Sequence, residues 1–450
     1  MRPIPAAVVA LLAALVPAFP PALFAETPEV TTTILASGIP LHFQQDLSSS
    51  STSVVLTTRG GKGAVPDGRD GLAYLVTRLA VDIPDERKAR DMLSQAGRFS
   101  VSILEDGALI KIDCLSEYLE PTLKTAAAII QDPIFSSIRI DRIKTMMTPQ
   151  AGRQEDNSAV LAHQAVLEAF YGGRGYGGAL YGNAPSLKSL DRKTVVGFYE
   201  EHFVSNRIFF SAVSDLPFER VSDLLEKSFT RVALGTRESA DGFQDRAHGP
   251  ENPNLEMVRE TQQTYVGRAY PIPEFSLRSH VLALIGEALL GKGPGSRLWP
   301  LRVRDRLAYS VDAVYTPNRG GGVLIAYIET QNAKSGVAAA ALDGELRRLR
   351  EHGLTRDEFE AARMTARSHF LRGNESKESR AMTMAILEIL GLKAGFFHSL
   401  PEELEAAALE DMVDFLRDVL DPERELRIVV GPVAAEPDET SVPPAAAPSP

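Results

Sequence analysis

One cysteine in 450 residues, Cys114, cannot form a disulfide within the chain. It lies in an alternating apolar run, where a buried structural thiol is expected. After the N-terminal region no segment approaches the roughly 18 uninterrupted apolar residues of a membrane helix. The formal net charge of -11 leaves no basic excess for a nucleic-acid partner. Histidine is sparse and scattered. The closest two, His352 and His369, are too far apart to share one helix face as i, i+4 ligands. Neither H-E-x-x-H nor H-x-x-E-H occurs. A helical zinc site of the hydrolytic type is therefore excluded, leaving only a scattered three-ligand arrangement that the spacing does not suggest. Each lone histidine reads as structural or solvent-facing.

What is present is a soluble globular composition, 44% hydrophobic and 24% charged. The length exceeds one ordinary core, so two or more domains are expected. Residues 1–25 read as a secretory signal: Arg2, the apolar run Ala6–Val16, then small residues before Glu26-Thr27-Pro28, with cleavage after Ala25. The alternative is an uncleaved anchor, which Pro17, Pro20 and Pro21 oppose by interrupting the apolar run. Export of a large chain without disulfides points to a bacterial periplasm.

The periodicity then alternates between strand and helix. Hairpins are predicted around Ser37-Gly38, around Glu105-Asp106-Gly107 and at Gly320-Gly321-Gly322. Helices are predicted over Gly71–Ala80, Glu86–Ala96, Ile138–Gln150, Ser158–Tyr171 and, briefly, Arg297–Arg304. Thr355 with Glu358 forms a capping box. The helix-then-strand unit from Val196 through Phe203 to Val213 is echoed from Val413 through Leu420 to Val430 at one constant offset, which favours a duplication over coincidence. The expected organisation is a first half at 26–233, a polar linker at 234–255, a second half at 256–432, and a Pro/Ala-rich disordered tail at 433–450.

Two strings carry the chemistry. The first is Gly71-Leu72-Ala73-Tyr74-Leu75-Val76-Thr77-Arg78. It resembles the zinc helix of the insulinase/pitrilysin-type peptidases, G-x-A-H-x-x-E-H, with the frame kept and the chemistry lost. Tyr74 is a neutral phenol, Thr77 has no carboxylate to act as a base, and Arg78 has no lone pair to give a metal. The family's third ligand, a glutamate on a later helix, falls near Gln150; Glu155 fits the acidic residue after that helix. The second string, Ser296-Arg297-Leu298-Trp299-Pro300-Leu301-Arg302 continuing to Leu307-Ala308-Tyr309-Ser310-Val311, is similar to the signature of that family's second half. There an arginine and a tyrosine seven residues apart bind the substrate backbone, positions matched by Arg302 and Tyr309. Taken without the string, the two side chains would read as a surface cation and a strand tyrosine. The glycine-rich Tyr171–Gly178 stretch resembles a loop of the same family and is not a phosphate loop, because no Lys-Ser/Thr follows it.

The resemblance implies an α+β fold of two homologous halves, each an antiparallel sheet covered by helices. It implies no catalytic residue and no metal of the chain's own. It also implies a partner of the same family that carries zinc and an intact H-x-x-E-H, with a peptide or unfolded segment as substrate. The chain is then the non-catalytic subunit of a heterodimeric periplasmic metallopeptidase. The alternative from another class is a non-enzymatic peptide-binding or scaffold protein on the same fold.

Overall fold

The computed structural model describes residues 29–432 apart from 84, 95–96, 236–245 and 304. The expected signal, the tail and parts of the linker and of the Glu86–Ala96 helix lie outside the described residues. Eleven strands are described, β1 (Thr31–Ile34), β2 (Pro40–Gln45), β3 (Ser51–Thr58), β4 (Arg98–Ile103), β5 (Ala108–Leu115), β6 (Ile208–Ser214), β7 (Asn254–Val258), β8 (Gln263–Ile272), β9 (Ser310–Asn318), β10 (Gly321–Gln331) and β11 (Leu426–Gly431). The first half adds helices α1 (Leu72–Ala80), α2 (Glu86–Ser94), α3 (Leu119–Ile130), α4 (Ser137–Glu155), α5 (Ser158–Tyr171), α6 (Ala184–Ser189), α7 (Arg192–His202) and α8 (Phe218–Ser228). The second adds α9 (Leu277–Gly291), α10 (Trp299–Val303), α11 (Ser335–His352), α12 (Arg356–Gly373), α13 (Lys377–Leu390), α14 (Phe396–Ala406) and α15 (Leu409–Val419).

The strands form two sheets, in the orders β1-β2-β6-β3-β5-β4 and β7-β11-β8-β10-β9. Leaving out β1, the second order repeats the first strand for strand, so the fold is a duplicated α+β arrangement. The repeated sequence unit is α7–β6 in one half and α15–β11 in the other. Each closing strand inserts between two earlier strands of its half: β6 between β2 and β3, β11 between β7 and β8.

That insertion refines the expectation of antiparallel sheets. β6 runs parallel to β2, and β11 parallel to β7, so both sheets are mixed. A parallel neighbour requires a crossover rather than a hairpin, and here the intervening helices of each half provide it. β7 is a second difference. It begins at Asn254, inside the stretch read as linker, because the half-exposed alternation of Asn-Leu-Glu-Met-Val pairs it with β11 at the sheet edge.

Each sheet is buried on both faces, and successive residues along a strand serve different cores. Val54 and Leu56 of β3 pack with the helices of the first half, including α1, α3 and α4, while Val55 faces away. In β6, Phe210 and Ala212 face those helices, and Phe209 and Val213 face away. The outward face is covered by a helix of the second half: Ala381, Met384, Ala385, Leu387 and Ile389 of α13 pack on Val55, Leu109, Phe209 and Val213. The exchange is reciprocal. Helix α5 of the first half lays Ala162, Val166, Leu167 and Phe170 on Tyr265, Ala269, Val323, Ile325 and Ile428 of the second sheet. Burying an aliphatic or aromatic side chain contributes roughly 1.5–3 kcal/mol, so each exchanged helix is a major part of its foreign sheet's core.

Polar contacts lock α13 in place. Arg380 pairs with the buried Asp46, and Lys377 Nζ donates to the carbonyls of Ser49 and Ser51. Glu388 accepts from Arg59 at 3.3 Å and lies 3.6 Å from His42 Nε2.

Candidate functional site

Helix α1 starts where Gly71 adopts φ +86° as its N-cap. A Cβ there would lie 2.9 Å from Met147 Cε and 3.0 Å from the Gly182 amide, so both conformation and space demand glycine. Ala73 is buried, and its carbonyl accepts the Thr77 hydroxyl at 2.7 Å. The Gly71/Ala73 frame is thus explained by packing alone, independently of any metal chemistry. Gly71→Ala is expected to destabilise the chain by about 1–3 kcal/mol, read as a lower denaturation midpoint with an unchanged far-UV spectrum at low denaturant. An unchanged midpoint would show that the α1 entry is not strained.

Tyr74 and Arg78, one turn apart, are the two partly exposed positions of α1; every other residue of the helix is buried. The Tyr74 ring meets Tyr181 edge-on at 4.8 Å. Burial raises the Tyr181 phenol above its ordinary pKa, and the nearby Tyr74 phenol adds to the rise. Among the described residues the Arg78 side chain has no hydrogen bond or ion pair. Thr77 is fully buried and back-bonded to its own helix, so it faces the core. Gln150 lies on α4, which packs against α1, and its Oε1 is shielded from solvent with no donor among the described residues. The helix runs past it to end at Glu155, so that acid is the last helical residue and not one beyond the helix.

This donor set does not fit a zinc ion. It offers a phenol, a buried hydroxyl, a guanidinium and an amide, with neither imidazole nor carboxylate. Among the described residues no group of three His, Cys, Asp or Glu side chains is arranged to hold a metal ion. Several histidines have other engagements: His163 with the Thr316 hydroxyl, His202 with Arg207, and His280 with Tyr315.

The second string folds around two core anchors. Leu298 and Leu301 are buried in the second core, which leaves Arg302 exposed with its guanidinium 4.9 Å from the Trp299 ring centroid. The chain turns back through Asp305 N–H to the Pro300 carbonyl and Leu307 N–H to the Leu301 carbonyl. Tyr309 N–H then donates to the Glu329 carbonyl, just before β9 begins. The Tyr309 ring is 50% exposed, and its hydroxyl accepts from Gln331 Nε2 at 3.2 Å, so its own proton remains available to a ligand. Gly291 ends α9 where a Cβ would stand 2.0 Å from the Ala313 amide, which lets the helix seat against β9. Arg302 and Tyr309 offer exposed donors suited to peptide carbonyls. No hydrogen bond, ion pair or ring contact among the described residues joins them to Tyr74, Thr77 or Arg78.

Two features near these strings were missed in the sequence. Tyr181 closes over Tyr74 from the loop that follows the glycine-rich stretch; its signal was only a tyrosine before Gly182. Asp106, in the β4–β5 turn, links three segments. It accepts from Tyr176 OH at 2.5 Å and from Arg319 N–H at 2.9 Å, in the β9–β10 turn of the other half. Burial pushes the Asp106 carboxyl up to about 6, although both hydrogen bonds favour its ionised form. A carboxyl whose pKa rises on folding, from 3.8 to about 6, stabilises the folded state most below pH 3.8. That contribution is lost as pH rises through about 6. Asp106→Asn is therefore expected to flatten the fall in stability between pH 4 and 6, measured by denaturant titrations at each pH. An unchanged slope would assign the fall to other groups.

No helix among the described residues is long and apolar enough to cross a membrane. Residues 189–366 match the family model described as the peptidase M16 inactive domain. A Rickettsia bellii protein called an uncharacterized zinc protease is 22% identical over 332 residues, covering 72% of this chain and 79% of its own. The non-peptidase homolog YmxG of Helicobacter pylori is 20% identical over 389 residues, covering 84% of this chain and 88% of its own. Among solved structures, the peptidase M16 inactive domain from Pseudomonas fluorescens superposes with a TM-score of 0.81 at 18% identity, over 90% of this chain and 98% of that one. A protease from Helicobacter pylori gives 0.82 at 14% identity, over 90% and 100%.

Proposed function

We propose that this chain, an inactive member of the insulinase/pitrilysin-type (M16) peptidase family, is the non-catalytic subunit of a two-chain zinc metallopeptidase. One observation supports the reading: Arg302 and Tyr309 are exposed, while Tyr74, Thr77, Arg78 and Gln150, which the sequence resemblance sets at the family's zinc-chemistry positions, include neither imidazole nor carboxylate. A member of the same family with an intact H-x-x-E-H would hold the metal and the water-activating carboxylate. Arg302 and Tyr309 would bind the backbone of a peptide or unfolded segment presented to it. Export by the N-terminal signal would place the pair in a bacterial periplasm. Under this reading the half boundaries stand as read from the sequence, with the linker shortened where β7 begins.

The rival is a non-enzymatic peptide-binding or scaffold protein. The Helicobacter pylori relative called a non-peptidase homolog favours it. Co-expression with a neighbouring H-x-x-E-H chain separates the two. The expected result is co-purification, zinc in the partner, and peptidase activity in the pair well above either chain alone. Zinc-dependent cleavage by this chain alone would overturn the proposal, and failure of any such partner to associate would favour the scaffold.

A further inference from the structure

We infer that the rim beside Tyr309 carries a carboxylate-binding subsite, made by Arg306 and Lys334, that selects peptides bearing acidic groups. This rests on reading Arg302 and Tyr309 as peptide-binding residues.

Arg306 holds φ +52°, one of only two non-glycine residues with positive φ among those described. Glycine or asparagine would take this left-handed turn with less strain. An arginine there keeps an exposed cation despite the cost. The surroundings hold the turn from both sides. Lys334 Nζ donates to the Arg306 carbonyl at 3.3 Å, and the Thr330 hydroxyl donates to the next carbonyl, that of Leu307. Lys334 retains two further N–H donors. Lys334 is thus tied to the turn that carries Arg306 and that connects Arg302 to Tyr309 along the chain, on a protein whose net charge is -11.

Of the nearby acids, Glu329 is held by the Ser310 hydroxyl, which its Oε2 accepts at 2.6 Å. A guanidinium fork and an ammonium on two segments joined by the Lys334–Arg306 backbone contact suit a carboxylate, through charge-assisted hydrogen bonds. A peptide bound by its backbone at Arg302 and Tyr309 would place an acidic side chain or a free C-terminus at this rim.

The test uses three decapeptides carrying the same neutral N-terminal dye and the isolated full chain. One has two glutamates and an amidated C-terminus, one has glutamines in their place, and one has glutamines and a free C-terminal carboxylate. Fluorescence anisotropy should show at least one carboxylate-bearing peptide binding about fivefold or more tighter than the neutral one. Which of the two gains identifies the carboxylate. Arg306→Asn with Lys334→Gln should bring the ratio close to one, and Lys334→Arg should keep it. Thermal melts confirm that the variants fold, since Asn tolerates the turn. Equal binding of all three peptides, absence of binding, or a preference that survives the double variant overturns the subsite. If the peptides bind equally while the pair's activity still depends on Arg302 and Tyr309, the subsite fails and the subunit reading stands.

Discussion

Arg302→Ala or Tyr309→Phe in this chain is expected to lower kcat/KM of the assembled pair about 10²-fold, with the partner's zinc content unchanged. The magnitude is that of losing one positioned donor from the group that stabilises charge on a reacting carbonyl. Tyr309→Phe removes only a hydroxyl from a half-exposed ring, and with it the hydrogen bond from Gln331, so the fold should be indifferent to the change. Arg302→Ala removes an exposed cation over Trp299 and should cost little stability. Both variants therefore separate function from folding. Steady-state cleavage by the pair, with metal analysis of the same preparation, reads the effect. Full activity in both variants would remove these residues from the site, and loss of zinc would recast them as structural supports of the partner.

Met384→Ala is expected to lower the unfolding free energy by about 2–5 kcal/mol, the range for large-to-small changes at fully buried positions. Met384 is completely buried between α13 and the first sheet. The sole tryptophan, Trp299, packs against the core of the second half. A substitution at the first sheet should therefore shift the fluorescence transition of Trp299 together with the far-UV transition, because α13 belongs to one half and completes the other. A Trp299 midpoint left in place while the far-UV signal loses an early component would mean that the halves unfold separately.

Much of the local structure was legible. Gly71 and the apolar spacing after it marked α1. The Glu105-Asp106-Gly107 turn marked the β4–β5 hairpin, and the Thr355/Glu358 capping box is formed, with Thr355 N–H donating to the Glu358 carboxylate at 2.8 Å. The repeated helix–strand unit located the two closing strands. The parts that were not legible depend on pairing at a distance. An apolar stripe on α13 announces that a face is buried but not which sheet covers it, and nothing local distinguishes a home sheet from a foreign one. Strand β7 was missed because a short edge strand, exposed at every other position, reads as part of the polar linker before it. Near the degenerate helix, the sequence showed Thr77 as a lost base. Its burial against the core was visible only in the fold, as was the closing of Tyr181 over Tyr74. Arg302 and Tyr309 were found by their string, and their exposure came from neighbours, Leu298 and Leu301, that face inward.

The exchange of α5 and α13 also sets an order of assembly. A chain made from its N-terminus completes β6 long before α13 exists. Until then Val55, Leu109, Phe209 and Val213 have nothing to cover them, and the first sheet is an adhesive surface. Contacts so distant in sequence are slow to form and leave intermediates open to aggregation. A truncation before Lys377 therefore strips the cover from the first sheet as well as shortening the second half.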